Sequence, residues 1–340
     1  MSEYKVSIIM PVFNADKYLK DALMSIVNQP IGIENLEVII VNDASTDSSK
    51  KIIDEFSEKY SSFKPIHLEK NTGGPFGPRN IGLKHVTSDY VMFLDADDTY
   101  TPTACEALYD AISKSDAGVA FGRYNRVYDD VTLISYSPYD SGDNDIKIYP
   151  HFKGIIKLIW KIFYKILYGS PLDYKDRIVI EDIRENPEIL KILPSMWTKI
   201  VRKDKLVEFK PFIAGEDLNF ILDIFYSSEI LFLNDEIIVN YSMRFDEDLS
   251  VTKNVKFGLV LDTIQSYRLA IETSNREGLN EVGMMMNPFF FNYIHLLLQA
   301  ELTKQEKMQI YDEISQIDKI YKNKGIMGFL LVKAIKLLNK

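Results

Sequence analysis

The chain has 340 residues and is 46% hydrophobic, 26% charged and 12% aromatic, which excludes a disordered or collagen-like protein. Forty Lys and Arg against 49 Asp and Glu leave a net charge of −9, so the global electrostatic footprint of a nucleic-acid binder is absent. The single cysteine, Cys105, excludes an internal disulfide and a Cys-rich zinc site, and favours a reducing, cytoplasmic setting. At about 150 residues per domain the length corresponds to roughly two domains. Met1–Lys5 is polar and Val6–Phe13 is short, so the start does not read as a signal peptide. The longest uncharged stretch, Val282–Ala300, carries Asn287, Pro288, Asn292 and His295 and is expected to be a buried helix rather than a membrane span.

The first hundred residues alternate short apolar runs with helical spacing. Lys5–Met10 predicts a strand stopped by Pro11, and Leu19, Leu23, Ile26 and Val27 predict a helix within Asp16–Gln29. Glu37–Asn42 predicts a second buried strand, and Ser45-Thr46-Asp47 a helix start, with the helix running to about Tyr60. Lys64–Glu69 is a third strand, Asn71–Pro78 a Gly/Pro-rich loop, and Arg79–His85 a short helix. Tyr90–Leu94 is a fourth strand and Pro102–Ser113 a helix. Strands that are apolar throughout, with helices between them, predict a mostly parallel α/β sheet covered on both faces. Further on, Ala117–Tyr149 is strand-like, His151–Tyr168 helical, Pro194–Arg202 and Gly215–Tyr226 organised, and Glu229–Met243 a strand pair. After Val255 the signals are helical almost to Lys340, giving a domain boundary near residue 250.

Ligands of parallel sheets bind beyond the carboxyl ends of the strands, and the unusual residues collect there. Asp95-Ala96-Asp97-Asp98 sets three carboxylates in four residues at the end of a buried strand. They repel one another unless a cation or polar partners accompany them, and hard oxygen ligands suit Mg²⁺ or Mn²⁺ shared with phosphates. The same acids would also serve to cap the helix near Pro102. In Asn71-Thr-Gly-Gly-Pro-Phe-Gly-Pro-Arg79-Asn80 the glycines let backbone approach a ligand, and Arg79 offers a guanidinium to phosphate or carboxylate. No Gly-Lys-Ser/Thr ends this loop and no GxGxxG follows the first strand, so neither a P-loop nor a dinucleotide fingerprint is present. Asp43 could accept hydrogen bonds from a base or ribose, although Asp43–Asp47 is also good helix-capping sequence. Glu216-Asp217 opens an apolar helix, where acids suit the helix dipole on structural grounds alone.

Taken together and in order, VSIIMPVFNADKYLKDALMSIVNQ, EVIIVNDASTDSS, NTGGPFGPRNIGLKH, SDYVMFLDADD and the later GED resemble the inverting family 2 glycosyltransferases of the GT-A fold. The likeness is dense over about residues 5–100 and thin from there to about Ser250. It implies a GT-A catalytic domain over 1–250, with a nucleotide-sugar half to about residue 100 and an acceptor half from about 101 to 250, followed by a helical region over 251–340. It implies a UDP-sugar donor, with Pro11 and Phe13 lining the uracil-ribose pocket, Asp43 recognising uracil, and Asn71 and Arg79 in the donor pocket. Asp95-Ala96-Asp97 becomes the Asp-x-Asp motif, with Asp97 and Asp95 on Mn²⁺ or Mg²⁺, and Asp217 the general base with Glu216 beside it. Tyr241-Ser-Met-Arg244 and Ser250 best match the segment that closes over the diphosphate. The Gly73–Asn80 loop is also similar to that of enzymes decorating the poly(ribitol phosphate) of wall teichoic acid, so a glycan or polyol-phosphate acceptor is implied.

Two competing readings stay open. A sugar nucleotidyltransferase would carry a Gly-rich basic loop after the first strand, where Pro11–Asn14 stands instead; a catalytically silent glycan-binding scaffold would have no use for both Asp97 and Asp217. Lys153, Lys157, Lys161 and Lys165 form a basic stripe within 151–170, and 321–340 holds five lysines and no acid. These segments fit peripheral contact with the inner face of a membrane, a polyanionic acceptor, a homo-oligomer contact through the C-terminal helices, or simple packing.

Overall fold

The structure is a computed structural model that describes residues 3–128, 131–135, 177–191, 195–242, 257–279 and 302–321. Its main elements are β1 (Val6–Val12), α1 (Leu19–Val27), β2 (Leu36–Asn42), α2 (Ser49–Lys59), β3 (Phe63–His67), α3 (Phe76–Leu83), β4 (Tyr90–Phe93) and β5 (Thr99–Tyr100). There follow α4 (Ala104–Ile112), β6 (Val119–Tyr128), β7 (Val131–Ser135), β8 (Ile178–Ile180), β9 (Lys199–Arg202), α5 (Glu216–Tyr226), β10 (Ile230–Ser242), α6 (Phe257–Arg276) and α7 (Lys304–Tyr321). One sheet runs in the order β3-β2-β1-β4-β9-β6-β10-β5, with β7 beside β6 and β8 beside β10. It is the expected α/β architecture, with a central sheet flanked by helices and further helices toward the C-terminus.

The sheet is parallel across β3, β2, β1 and β4 and mixed beyond, because β9 enters antiparallel to both β4 and β6. This reversal matters for the site. The carboxyl ends of β1, β2 and β4 open on one edge, and the antiparallel β9 brings its first residue, Lys199, to that same edge. β6 and β10 run parallel to each other, and β6 is antiparallel to β9, so β10 delivers Tyr241 and Ser242 there too.

Both faces of the sheet are apolar. Along β1, Ile8 and Met10 join a core with Leu19 and Leu23 of α1, Ile53 of α2 and Leu108 of α4. Ile9 points the other way, into a core with Phe220 of α5, Ile264 and Tyr267 of α6 and Ile314 of α7. Burial on both faces explains why the strands read as unbroken apolar runs.

Three expectations are corrected. Pro11 lies inside β1, paired with Val41, rather than ending it. The β1–β4 pairing stops at Ile9, and Val12 turns its carbonyl toward Asp43, so the nitrogen of Pro11 faces a side where no strand follows. The third helix begins at Phe76, not Arg79: Pro75 and Pro78 stand at its start, where missing N–H groups cost nothing. Ile230–Ser242 is one strand rather than a pair. The extra residues between Leu233 and Val239 form a bulge, and both halves pair with β6 in one direction.

The basic stripe of 151–170, residues 322–340, Arg244, Ser250 and Val282–Ala300 lie outside the described residues. Among the described residues, no helix is long and apolar enough to cross a membrane.

Candidate active site

The loops after β1 and β2 are sewn together. Asn14 and Ala44 both take left-handed backbone, with φ of 49° and 59°. For Ala44, which carries a Cβ and directly follows Asp43, this is a strained position of the kind that gathers at binding sites. Asn14 Oδ1 accepts from the Thr46 N–H at 2.8 Å, and the Asn14 N–H donates to Ser45 Oγ at 3.0 Å. Beside them Phe13 leaves 52% of its surface open, an aromatic face available at the strand edge, and Pro11 is half-buried.

Asp43 is buried and fully oriented. Its two carboxylate oxygens accept from the N–H and the Oγ1 of Thr72, each at 2.9 Å, and its carbonyl accepts from Asn71 Nδ2 at 3.1 Å. The other end of the Asn71 side chain accepts from the Gly73 N–H at 2.8 Å, so Asn71 ties the glycine loop to Asp43. Gly73 has φ of 89° and open space around it, which leaves the loop backbone exposed to a ligand.

Arg79 is the centre of the site. From α3 its Nη1 donates to Glu216 Oε1 at 2.6 Å and to Asp217 Oδ1 at 2.8 Å, while Nη2 donates to Asp95 Oδ1 at 2.8 Å. The guanidinium is buried over the ring of Phe209, 5.4 Å from its centroid, and its Nε–H finds no acceptor among the described residues. Phe209 stacks on Phe220 at 3.8 Å, and both meet Phe93 edge-on, so the charged cluster rests on an aromatic floor. Burial works against the charge of Arg79, but Asp217, Asp95 and Glu216 outweigh it and hold its proton more tightly than usual.

Three carboxylates share one guanidinium, which leaves an excess of negative charge in a dry setting. Burial and then Asp217 push Glu216 up to about 8, against the pull of Arg79. Asp217 is also raised, chiefly by burial, with Arg79 opposing and Asp95 adding to the rise. Asp217 keeps 18% of its side chain open, against 8% for Glu216, so Asp217 is the one able to meet a second molecule. The Met196 N–H donates to its Oδ2 at 3.3 Å. Behind the pair, Gly215 caps α5 with φ of 84°, and its carbonyl accepts from Ser266 Oγ of α6 at 2.6 Å.

Along the Asp-x-Asp segment, Asp95 is partly exposed and held by Arg79, Ala96 is buried, and Asp97 is exposed. Asp98 is buried and accepts from the Ser242 N–H at 2.9 Å, fastening this loop to the end of β10; α4 starts without a side-chain cap, so Asp98 is no helix cap. The carboxylates of Asp98, Asp97 and Asp95 all lie near enough to Tyr241 to add to the burial that raises its phenol. The donor chemistry at 95 and 97 is two hard carboxylates, one exposed and one engaged by Arg79 through a single oxygen. Two such ligands suit Mg²⁺ or Mn²⁺ completed by phosphate and water.

The structure thus gathers Asp95, Arg79, Glu216 and Asp217 in direct contact, Asp97 on the adjoining loop, and Pro11, Phe13, Asp43 and Asn71 along the same sheet edge. Met196, Lys199, Phe209 and Ser266 carry no motif of their own and belong to the site only through the fold, whereas Thr72 sits within the glycine loop and gains its role from its bonds to Asp43. A depression of about 430 Å³ lined by Thr103, Glu106, Asp110 and Arg177 shares none of these residues.

The family model described as Glycosyl transferase family 2 matches residues 7–174. The minor teichoic acid biosynthesis protein GgaB of Bacillus subtilis (strain 168) is 44% identical over 95 residues, 28% of this chain and 10% of that protein. The poly(ribitol-phosphate) beta-N-acetylglucosaminyltransferase TarS of Staphylococcus aureus (strain Mu50 / ATCC 700699) is 38% identical over 94 residues, 28% of this chain and 16% of that protein. The chain thus matches a small part of these relatives' length. The crystal structure of S. aureus TarS 1–349 in complex with UDP-GlcNAc superposes with a TM-score of 0.67 at 20% identity, covering 94% of this chain and 81% of that one. Residues 7–174 thus match a glycosyl transferase family 2 domain, and the fold of the chain agrees with that match.

Proposed function

We propose that the chain transfers a sugar from a UDP-sugar, with inversion, to a hydroxyl of a polyol-phosphate or related cell-surface glycan. The single observation carrying this reading is the meeting of Asp95 and Asp217 on Arg79, which sets a donor-side acid and a candidate base on one guanidinium. An alcohol is a poor nucleophile at neutral pH, so a positioned carboxylate must take its proton as attack develops. Asp217 is suited to this: partly open, held through both oxygens, and more basic than an ordinary Asp because it is buried. Phe13 and Asp43 would take the uracil, the first by stacking and the second by accepting a ring N–H. Asp97, with Asp95, would hold Mn²⁺ or Mg²⁺, which when bound neutralises charge gathering on the leaving diphosphate. Inversion needs no covalent intermediate, and Asp217 alone supplies the base. TarS supports a poly(ribitol-phosphate) acceptor by its name and a UDP-sugar donor by its complex, and both are carried to this chain as part of the proposal.

The test is a panel of UDP-, GDP- and dTDP-sugars incubated with the chain, Mn²⁺ or Mg²⁺, and poly(ribitol phosphate), scored for nucleotide release and for the anomeric configuration of the product. Selective consumption of a UDP-sugar with inversion is expected. Turnover confined to GDP- or dTDP-sugars, or retention at the anomeric carbon, overturns the reading.

A further inference from the structure

Lys199 is buried to 1% exposure at the start of a central strand, and nothing in the reaction described above uses it. Burying an ammonium group is costly unless polar partners replace its water, and an apolar residue of the same volume would satisfy a core position at less cost. Its surroundings show what the charge is there to hold. Nζ donates to the carbonyl of Ser195 at 2.6 Å and to Thr198 Oγ1 at 3.1 Å, and it stands over the Phe121 ring, 5.1 Å from the centroid. Ser195 and Thr198 bracket a single helical turn, Met196–Thr198, and the ammonium clamps that turn at both ends. The first N–H inside the clamp, that of Met196, is the one that donates to Asp217 Oδ2.

From this geometry we propose that Lys199 is a positioning residue for Asp217: it closes the turn that fixes one carboxylate oxygen and sets a positive charge behind that carboxylate. The proposal rests on the reading of Asp217 as the base and goes beyond it by naming what holds the base on the side away from Arg79. The two groups act on each other. Burial lowers Lys199 to about 7 and Asp217 resists that fall, while the charge of Lys199 lowers Asp217 against its own burial. The charged groups around Asp217 are Arg79 from α3, Asp95 after β4, Glu216 on its own helix, and Lys199 from β9. Arg79 grips Oδ1 through the Nη1 that it also gives to Glu216, and the Lys199 turn grips Oδ2, so rotation of the carboxylate is blocked from both sides.

The experiment compares the full chain with Lys199→Met, a nearly isosteric apolar replacement, and with Thr198→Val, which removes one clamp acceptor while keeping the shape. Cooperative thermal unfolding establishes that each variant is folded. The Met196 amide is then followed by ¹H–¹⁵N NMR and hydrogen exchange, assigned by its absence in Met196→Leu, and UDP binding and turnover of the UDP-sugar used by the wild type are measured. Lys199→Met is expected to bind UDP within about threefold of wild type, to lose about tenfold or more in kcat, and to exchange the Met196 amide about tenfold or more faster, because the turn that presents that N–H to Asp217 is no longer closed. Thr198→Val moves both the same way by less. A Met196 amide unchanged in folded Lys199→Met overturns the proposal, as does a kcat loss no larger than the loss of folded protein. If Lys199→Met does not fold, a Thr198→Val variant with wild-type kcat and an unmoved Met196 amide overturns it. The amide measurement needs no turnover, so a chain inactive on every donor would sink the transferase reading while this inference stood or fell separately.

Discussion

Arg79 and Asp217 lie 138 positions apart in sequence and meet at 2.8 Å through a nitrogen that also holds Glu216. The same guanidinium reaches Asp95 through its other nitrogen, so one buried cation joins three strand-edge segments. Arg79→Met would leave three carboxylates without their counter-ion in a dry setting, and a loss of about 3–5 kcal/mol is expected because a broken buried pair strands its charges. Arg79→Lys keeps the charge, but a single ammonium on a flexible stem cannot bridge acceptors as a planar fork does. That variant should fold with a lowered melting temperature and lose about 10²-fold in kcat, the scale expected for a misplaced catalytic group. Denaturant unfolding and steady-state kinetics of the two variants check both halves, and an Arg79→Lys enzyme with wild-type kcat would show that the fork is dispensable.

Asp217→Asn keeps the shape of the side chain and its hydrogen bond from Met196 but cannot accept a proton from an alcohol. Transfer should fall by about 10²- to 10⁴-fold, the usual contribution of a positioned general base, while UDP affinity stays near that of wild type. Calorimetric UDP binding beside turnover separates the two effects. Loss of UDP binding in this variant would instead make Asp217 part of the donor pocket.

How much of this was legible before folding depends on the range of the signal. Val6–Val12, Leu36–Asn42 and Tyr90–Phe93 announce themselves because both faces of each strand are buried, and their carboxyl ends carry the acids in plain view. Asp95, Glu216 and Asp217 were legible as candidates through their local pattern, yet their meeting on Arg79 was not, since it depends on antiparallel β9 and the packing of α5. Lys199 is the extreme case. In sequence it is one lysine among many, and only the reversal of β9 against β4 carries its ammonium to the edge where the acids gather. Misplaced boundaries have local causes: prolines at the start of α3 read as loop because a helix N-terminus tolerates them, and Glu229–Met243 read as a strand pair because a bulge interrupts the single strand β10.

Phe13 separates binding from stability. It is half exposed at the edge of β1, so its removal uncovers no core, and Phe13→Ala should leave the melting temperature unchanged. If the ring stacks on uracil, UDP affinity falls by about 1–3 kcal/mol, the range for one base on an aromatic face. Thr72→Val gives a complementary result: Asp43 loses its hydroxyl partner but keeps the backbone N–H, so UDP binding weakens less and kcat at saturating donor is retained. Thermal shift with and without UDP reads both variants, and a Phe13→Ala chain that binds UDP as wild type does would remove stacking from the account.

Glu216 makes a prediction about stability and pH. Its carboxyl is pushed up to about 8, first by burial and then by Asp217, with Arg79 pulling the other way. An unfolded Glu releases its proton near pH 4.3, about where model peptides do. Between these values the folded chain holds a proton that the unfolded chain has given up, so rising pH favours unfolding. The stabilisation from the held proton is therefore complete below about pH 4.3, shrinks steadily up to about 8, and is gone above it. Glu216→Gln cannot ionise and lacks this dependence. Scanning calorimetry of both proteins from pH 5 to 9 should show the wild type losing melting temperature relative to the variant up to about pH 8 and running parallel to it beyond. Groups remote from the site cancel in that difference, and Asp217, which interacts with Glu216, does not, so the difference reports the Glu216–Asp217 pair. Two curves that stay parallel from pH 5 onward would mean that Arg79 keeps Glu216 ionised throughout, with all three carboxylates charged around one guanidinium.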